Sequence, residues 1–224
     1  MVACAHERVK HPVRAVIFDY GGVLRRDDRE TYDAVARALV LPRDSLWSAI
    51  HDIPEYRRSR EGAIDRATFR AAVRRALTLI VGGGRAEAAL AALEQHVADL
   101  PPVEPEMRAL LERLRGEGRV RLGLLSNGPL GWSQRLGQLG VTQLFDTVIV
   151  SADAGLAKPD PAVFRLAAER LGVEPAACLM IDDQPGHLPG AEAAGLRTHL
   201  FAHTHHTDLV ARLVAEGALG RGTT

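Results

Sequence analysis

The sequence has few cysteines, few aromatic residues and no excess of either charge. Its 224 residues include only two cysteines, Cys4 and Cys178, which excludes a disulfide framework and a cysteine-rich metal site. Lysine plus arginine and aspartate plus glutamate both total 28, so no overall field attracts nucleic acid or anionic membrane. The polar segment 1–14 has no signal-peptide core, and no apolar run is long enough to span a bilayer. We therefore expect a cytoplasmic monomer or homodimer that binds a small molecule, not nucleic acid or a membrane.

Short apolar runs alternate with helical patterns along the chain. Alternation of this kind predicts an α/β fold with a doubly wound parallel sheet. Hydrophobic residues make up 46% of the sequence, enough for a substantial core. The predicted strands are 13–19, 120–126, 147–151, 177–182 and 197–201.

The interval after the first strand is too long for an ordinary crossover. The segment between the first two predicted strands is roughly 80 residues longer than a crossover needs to be. This excess length predicts an inserted subdomain. Its apolar residues recur at helical spacing, so the insert is expected to be all helical. The predicted limits are 1–24 and 103–224 for the core domain and 25–102 for the helical subdomain. Three helical stripes carry the insert: Tyr32, Val35, Ala36 and Leu39; Phe69, Val73, Ala76, Leu77 and Ile80; and Leu90, Leu93, Val97 and Leu100.

Polar motifs stand where the predicted strands end. The first strand is followed by Asp19-Tyr20-Gly21-Gly22 and the second ends in Ser126-Asn127. Lys158-Pro159-Asp160-Pro161 follows the third, and Asp182-Asp183 ends the fourth. Because ligands bind outside the carboxyl ends of strands in open α/β sheets, these motifs are expected to form one site.

These motifs, in this order and with a helical insert after the first, resemble the haloacid dehalogenase superfamily of hydrolases, most of which are phosphatases. The resemblance covers nearly the whole chain. It implies a Rossmann-like core with strand order 3-2-1-4-5 and a mobile helical cap.

The resemblance also implies catalytic roles. Asp19 would attack phosphorus and form an aspartyl phosphate that water hydrolyses. Lys158 would keep Asp19 ionised and stabilise the transferring phosphoryl group. Ser126 and Asn127 would donate hydrogen bonds to phosphoryl oxygens, with Tyr20 and Gly21 in the same substrate-binding set. Each motif taken alone has a purely structural alternative, which is a helix cap or a turn.

Three carboxylates at one edge of the predicted sheet require cations to balance their charge. Mg²⁺ takes oxygen ligands and bridges to phosphate, so Asp19, Asp183 and the Gly21 carbonyl are the expected ligands. By similarity Asp182 belongs to the same metal site but behind the direct ligands. A solvated Asp-Asp turn that caps the next helix is the alternative.

Gly21 departs from the phosphatase pattern, in which a second aspartate usually protonates the leaving group. Loss of a general acid costs roughly 10² to 10⁴ in rate. Three interpretations remain open. The substrate has a good leaving group, another residue substitutes, or the protein binds without turnover.

Other polar clusters have weaker claims. His187, after Asp183, is a candidate substitute acid, although a histidine there is more often a helix-start residue. The tail histidines His199, His203, His205 and His206 have irregular spacing and are expected at the surface. In a chain with only 4% aromatic residues, the stretch with Trp47, His51, Tyr56, Arg57, Arg58 and Arg60 stands out. It either contacts the leaving group or forms a cap core beside a solvated arginine face.

The sequence thus predicts a Mg²⁺-dependent phosphohydrolase acting on a small phosphorylated metabolite, with a sugar phosphate favoured. One alternative is an impaired relative that binds a phosphorylated ligand. The other is a metal-independent dehalogenase that attacks carbon through Asp19, against which the Asp182-Asp183 pair argues, since unneutralised carboxylates would repel the substrate.

Overall fold

The structure is a computed structural model that describes residues 12–26 and 29–221. Cys4 and most of the polar segment 1–14 lie outside the described residues. Five parallel strands form one sheet in the order β3-β2-β1-β4-β5, which confirms the predicted fold class and strand order. The strands are β1 (Ala15–Phe18), β2 (Arg121–Ser126), β3 (Thr147–Val150), β4 (Cys178–Asp182) and β5 (Arg197–Leu200).

Helices follow the strands in the order expected of a doubly wound fold. Between β1 and β2 lie α1 (Arg29–Ala38), α2 (Ser45–His51), α3 (Pro54–Arg60), α4 (Arg66–Val81), α5 (Gly83–Asp99) and α6 (Pro105–Glu117). After β2 come α7 (Trp132–Gln138), α8 (Ser151–Ala154), α9 (Pro161–Leu171), α10 (Leu188–Ala193) and α11 (His206–Ala215). Among the described residues, no helix combines the length and the apolar character needed to cross a membrane.

Alternate residues of β1 enter the two apolar layers on either side of the sheet. Val16 and Phe18 pack with side chains of α6 and α11, whereas Ala15 and Ile17 pack with side chains of α9 and α10. A strand buried on both faces has no polar side to alternate with, which explains its continuous apolar sequence. The central position of β1 places its carboxyl end in the middle of the sheet edge.

Helices α1 to α5 share a buried cluster of their own. Its members include Tyr32, Val35, Val73, Leu77 and Leu90, as the helical spacing predicts. Two residues of the predicted stripes, Ile80 and Leu100, are neither in this cluster nor packed against it. Ile80 is 42% exposed and lies in the last turn of α4, next to the largely exposed Leu79. We call α1 to α5 the cap; the exact limits of the core and cap domains stay predictions.

Candidate active site

Asp19 is the first residue after β1 and is 5% exposed. Its N–H donates to the Ile181 carbonyl of β4, at 2.9 Å, and Phe18 pairs with Ile181 in the sheet. Asp19 therefore lies level with Asp182. Its Oδ1 accepts from the Tyr20 N–H at 2.7 Å and lies 2.8 Å from Lys158 Nζ.

Lys158 joins two of the carboxylates. Its Nζ donates to Asp182 Oδ2 at 2.7 Å as well as contacting Asp19, and its side chain is fully buried. Burial acts to lower the pKa of Lys158, but the charges of Asp182 and Asp19 outweigh it and the pKa is raised. The ammonium is therefore a permanent charge at the end of the sheet.

Asn127 fixes the loop that carries Lys158. Its Nδ2 donates to the Lys158 carbonyl at 2.9 Å, and its Oδ1 accepts from the Lys158 N–H at the same distance. Asn127 thus has a positioning function that sequence reasoning missed, because the two residues are 31 positions apart. Its predicted contact with phosphate stays a prediction.

Asp182 is saturated with donors. Besides Lys158, its Oδ1 accepts from the Gln184 N–H at 2.9 Å, and His187 Nδ1 lies 3.0 Å from Oδ1. Burial would raise the pKa of Asp182, but the Lys158 charge and the contact with His187 lower it. Asp182 therefore orients Lys158 and His187.

Asp183 has the opposite environment. Its Oδ1 is buried and has no hydrogen-bond partner among the described residues. Burial, together with the charges of Asp19 and Asp182, raises the pKa of Asp183 to about 8. Gly22 lies against this carboxylate, with φ of 76°, and a Cβ at Gly22 would be 2.1 Å from Asp183 Oδ2. The lack of a side chain at Gly22 therefore leaves space for the Asp183 carboxylate.

The donor set fits a hard cation. Ligand atoms of Asp19, Asp182 and His187 lie within 4.8 Å of one another. However, both oxygens of Asp182 already have donors, whereas Asp183 offers an oxygen with none. A buried, unpartnered oxygen next to two further carboxylates is the environment that Mg²⁺ stabilises. Asp183 is therefore a better candidate ligand than Asp182.

A cavity of about 760 Å³ opens from these residues toward the cap. The core side of its lining includes Asp19, Ser126, Asn127 and His187, and Ser126 is only 5% exposed. Another cavity, of about 840 Å³, is lined by residues that precede β1 and β4, including Arg14 and Ala177, and contains none of the motif residues. The chemistry thus coincides with the cavity between core and cap.

Tyr20 and Gly21 border the same cavity. The Tyr20 hydroxyl donates to the Pro102 carbonyl at 2.9 Å, and only 2% of the residue is exposed. Tyr20 therefore ties the turn after Asp19 to the segment that returns from the cap. Substrate contacts of Tyr20 and Gly21 stay predictions.

The cap side of the cavity is aromatic and cationic. Trp47 and His51 stack with ring centroids 3.7 Å apart, and Arg60 lies 4.5 Å from the Tyr56 ring centroid. All four line the cavity, whereas Arg57 and Arg58 do not and are exposed. The predicted polar stretch thus divides into a cavity wall and a solvated face.

Arg25 is a cavity residue that sequence reasoning missed. It stands in the charged run Arg25-Arg26-Asp27-Asp28, which has the composition of a solvated loop, yet only 5% of it is exposed. No sequence signal distinguishes it from Arg26.

The tail histidines are not part of this site. His205 is exposed and His199, His203 and His206 are half-buried. Within the described ranges, no metal-ligating group of three or more residues includes any of them.

Known proteins similar to this chain are hydrolases. A phosphatase of Mycobacterium tuberculosis is 37% identical over 105 residues, 46% of this chain and 48% of that protein. A phosphoglycolate phosphatase of Cereibacter sphaeroides is 39% identical over 113 residues, 50% of each chain. The chain spans about half the length of the curated relatives that it matches.

A solved structure shares the fold over most of both chains. It is a HAD family enzyme of Bacteroides thetaiotaomicron in complex with magnesium and inorganic phosphate. The two chains are 21% identical with a TM-score of 0.63, and the match covers 88% of this chain and 98% of the other. The family model of haloacid dehalogenase-like hydrolases matches residues 13–195. This chain therefore belongs to the haloacid dehalogenase-like hydrolase family.

Proposed function

We propose that this protein is a phosphoric monoester hydrolase that acts on a small phosphorylated metabolite and depends on Mg²⁺. The observation that carries the proposal is Lys158 Nζ, within 2.8 Å of both Asp19 and Asp182, beside the unpartnered oxygen of Asp183. The phosphatase relatives support the same reaction class.

Asp19 is the proposed nucleophile. Both of its close contacts, from Tyr20 and Lys158, fall on Oδ1, so Oδ2 is the oxygen offered to a ligand. Attack of that oxygen on phosphorus breaks the bond from phosphorus to the leaving-group oxygen, and water then cleaves the aspartyl phosphate. Burial raises the pKa of Asp19, and the Lys158 charge opposes this rise. Lys158 therefore favours the ionised, reactive form.

Asp19, Asp183 and the Gly21 carbonyl are the proposed ligands of Mg²⁺. When bound, the ion supplies positive charge that offsets the carboxylates and the phosphate oxygens. Asp182 holds Lys158 in place. Ser126, at the cavity wall, is the proposed hydrogen-bond donor to a phosphoryl oxygen.

Two other functions were open at the level of sequence. One is a protein that binds a phosphorylated ligand without turnover. Gly21 favours it, since no carboxyl group stands two residues after Asp19. A metal-independent dehalogenase is disfavoured by Asp183, because its buried oxygen without a donor suits a cation that such an enzyme does not bind.

A phosphate-release screen tests the proposal. The panel contains sugar phosphates, which the sequence favours, together with phosphorylated acids and aryl phosphates, each with Mg²⁺ and with chelator. We expect Mg²⁺-dependent release that Asp19→Asn abolishes, because an amide does not attack phosphorus. Release by Asp19→Asn within tenfold of wild type would contradict the nucleophile assignment. Binding without any release would favour the non-catalytic alternative.

A further inference from the structure

Arg25 is a buried cation for which residues 12–26 and 29–221 supply no acidic partner. It is 5% exposed and lines the cavity. Its Nε is buried without a hydrogen-bond partner, and no ion pair of Arg25 is found in the described part of the chain. By contrast, the more exposed Arg57 and Arg70 both pair with glutamates. A buried charge is costly unless it is paired, so this guanidinium is suited to bind an anion that enters the cavity.

The backbone holds Arg25 beside the nucleophile. The Arg25 N–H donates to the Tyr20 carbonyl at 3.1 Å, and its carbonyl accepts from the Gly22 N–H at 2.8 Å. Arg25 is thereby fixed against the turn that directly follows Asp19. Arg25 and Asp19 also line the same cavity.

Arg60 faces the cavity from the cap. Its guanidinium lies 4.5 Å from the ring centroid of Tyr56 and 5.4 Å from that of Phe69. Among the described residues, its Nε is also buried without a hydrogen-bond partner, and the side chain makes one long hydrogen bond of 3.4 Å to Ser59. Aromatic contacts hold the guanidinium by its faces and leave the N–H donors of its edge for a planar anion.

Other ionisable groups of the wall do not replace these two arginines. Burial lowers the pKa of His51 to about 4, so its ring is neutral near pH 7. Glu94, an acid of the wall, lies 2.9 Å from Arg70 and is compensated by it. Arg66 and Arg135 also line the cavity, but both are exposed, whereas Arg25 is buried and Arg60 is half-buried. Selection by charge therefore falls mainly to Arg25 and Arg60.

We propose that Arg25 and Arg60 bind a carboxylate on the leaving group, so that the preferred substrates are phosphate esters of short hydroxy acids. This inference rests on the proposed function, since the phosphate is taken to occupy the Asp19 end of the cavity. A carboxylate matches the arginine fork with two parallel hydrogen bonds. It also supplies the negative charge that the buried Arg25 lacks.

Binding to the Asp19→Asn variant in the presence of Mg²⁺ tests the proposal without turnover. Calorimetry compares 3-phosphoglycerate with glycerol 3-phosphate, which has a hydroxymethyl group in place of the carboxylate on the same skeleton. We expect at least tenfold tighter binding of the acid. Adding either Arg25→Met or Arg60→Met to the Asp19→Asn variant should reduce the preference for the acid roughly 10-fold, the usual effect of losing a charged hydrogen bond. Arg58→Met, an exposed position on the same helix as Arg60, is the matched control and should leave the preference unchanged.

Several results would overturn the inference. These are equal or undetectable binding of both compounds, or a preference that survives the arginine substitutions. Tighter binding of propane-1,3-diol bisphosphate than of the acid would assign the arginines to a second phosphate instead. If Arg25→Met does not fold, Arg25→Lys and Arg60→Met decide, because the lysine lacks the fork. An acid preference without phosphate release from any compound by wild type would contradict the proposed function alone.

Discussion

At the scale of single residues, the site combines two carboxylates that the chain itself stabilises with one that it does not. Asp19 and Asp182 share Lys158, but Asp183 has a buried oxygen without a donor. Such an arrangement costs stability in the absence of a cation, and natural sites accept that cost where an ion or a substrate restores the balance.

The first prediction concerns Asp183. In chelator, Asp183→Asn should raise the melting temperature, because a neutral amide replaces a buried carboxyl group that two other carboxylates repel. Wild type should gain stability from Mg²⁺, and the variant should gain little. Differential scanning calorimetry at several Mg²⁺ concentrations measures both effects. Asp182→Asn is the comparison and should lower the melting temperature, since it removes the partner of Lys158; the same response from both variants would contradict the assignment.

The second prediction concerns Gly21. This residue is not among the glycines with positive φ, so its backbone accepts a side chain without strain. Gly21→Asp would supply the missing carboxyl group, and hydrolysis of alkyl phosphates should rise by up to roughly 10² with little change for aryl phosphates. Steady-state kinetics with the two ester classes measures this selectivity. A folded variant that shows no selective gain would mean that another group protonates the leaving oxygen, or that the site does not hydrolyse esters.

At the scale of elements, the cap contacts the core through α3 and α8. Gly62, just after α3, has φ of 74°, and a Cβ there would be 2.9 Å from the Ala152 carbonyl oxygen of α8. Helix α3 also carries Tyr56 and Arg60, which line the cavity. The position of this helix therefore fixes one wall of the cavity relative to Asp19.

The third prediction is that Gly62→Ala displaces α3 and weakens catalysis. A left-handed backbone costs alanine about 1–2 kcal/mol, and the clash with Ala152 forces a further shift. We expect kcat/KM to fall by at least roughly 10-fold, because small errors in substrate position are costly. Gly116→Ala is the control: this residue lies in α6, where an added Cβ has open space, so activity should be unchanged. Equal activity of the Gly62 and Gly116 variants would show that the contact does not position the cap.

The strands could be predicted from sequence and confirm the family fold, because apolar runs ending in Asp19, Ser126 and Asp182 carry both the sheet and its polar edge. The Asn127–Lys158 pairing could not, since it depends on how two loops meet at the sheet edge. Arg25 was equally hidden, because a charged run gives no sign of which member is buried. Ile80 followed the helical period of α4, but in the last turn Val81 packs against the cap cluster and Ile80 does not.

At the scale of the whole molecule, the chain has separate apolar cores. The cap cluster of Tyr32 to Leu93 shares no member with the two layers that cover the sheet. A link between them near the chain crossing is polar, namely the hydrogen bond from the Tyr20 hydroxyl to the Pro102 carbonyl. Cores that do not interdigitate are expected to lose structure separately.

The last prediction follows from this division and compares two buried leucines. Leu77 of α4 is fully buried in the cap cluster, and Leu111 of α6 is fully buried against the sheet. Each change to alanine should cost about 2–5 kcal/mol locally. Leu77→Ala should speed hydrogen exchange in α1 to α5 while β1 and β4 stay protected, and Leu111→Ala should speed exchange in the strands as well. Exchange measured by mass spectrometry, peptide by peptide, separates the two patterns. If Leu77→Ala deprotects the sheet as strongly as Leu111→Ala does, the cap and the core unfold as one unit, and the predicted division of the chain at residues 25 and 102 has no thermodynamic counterpart.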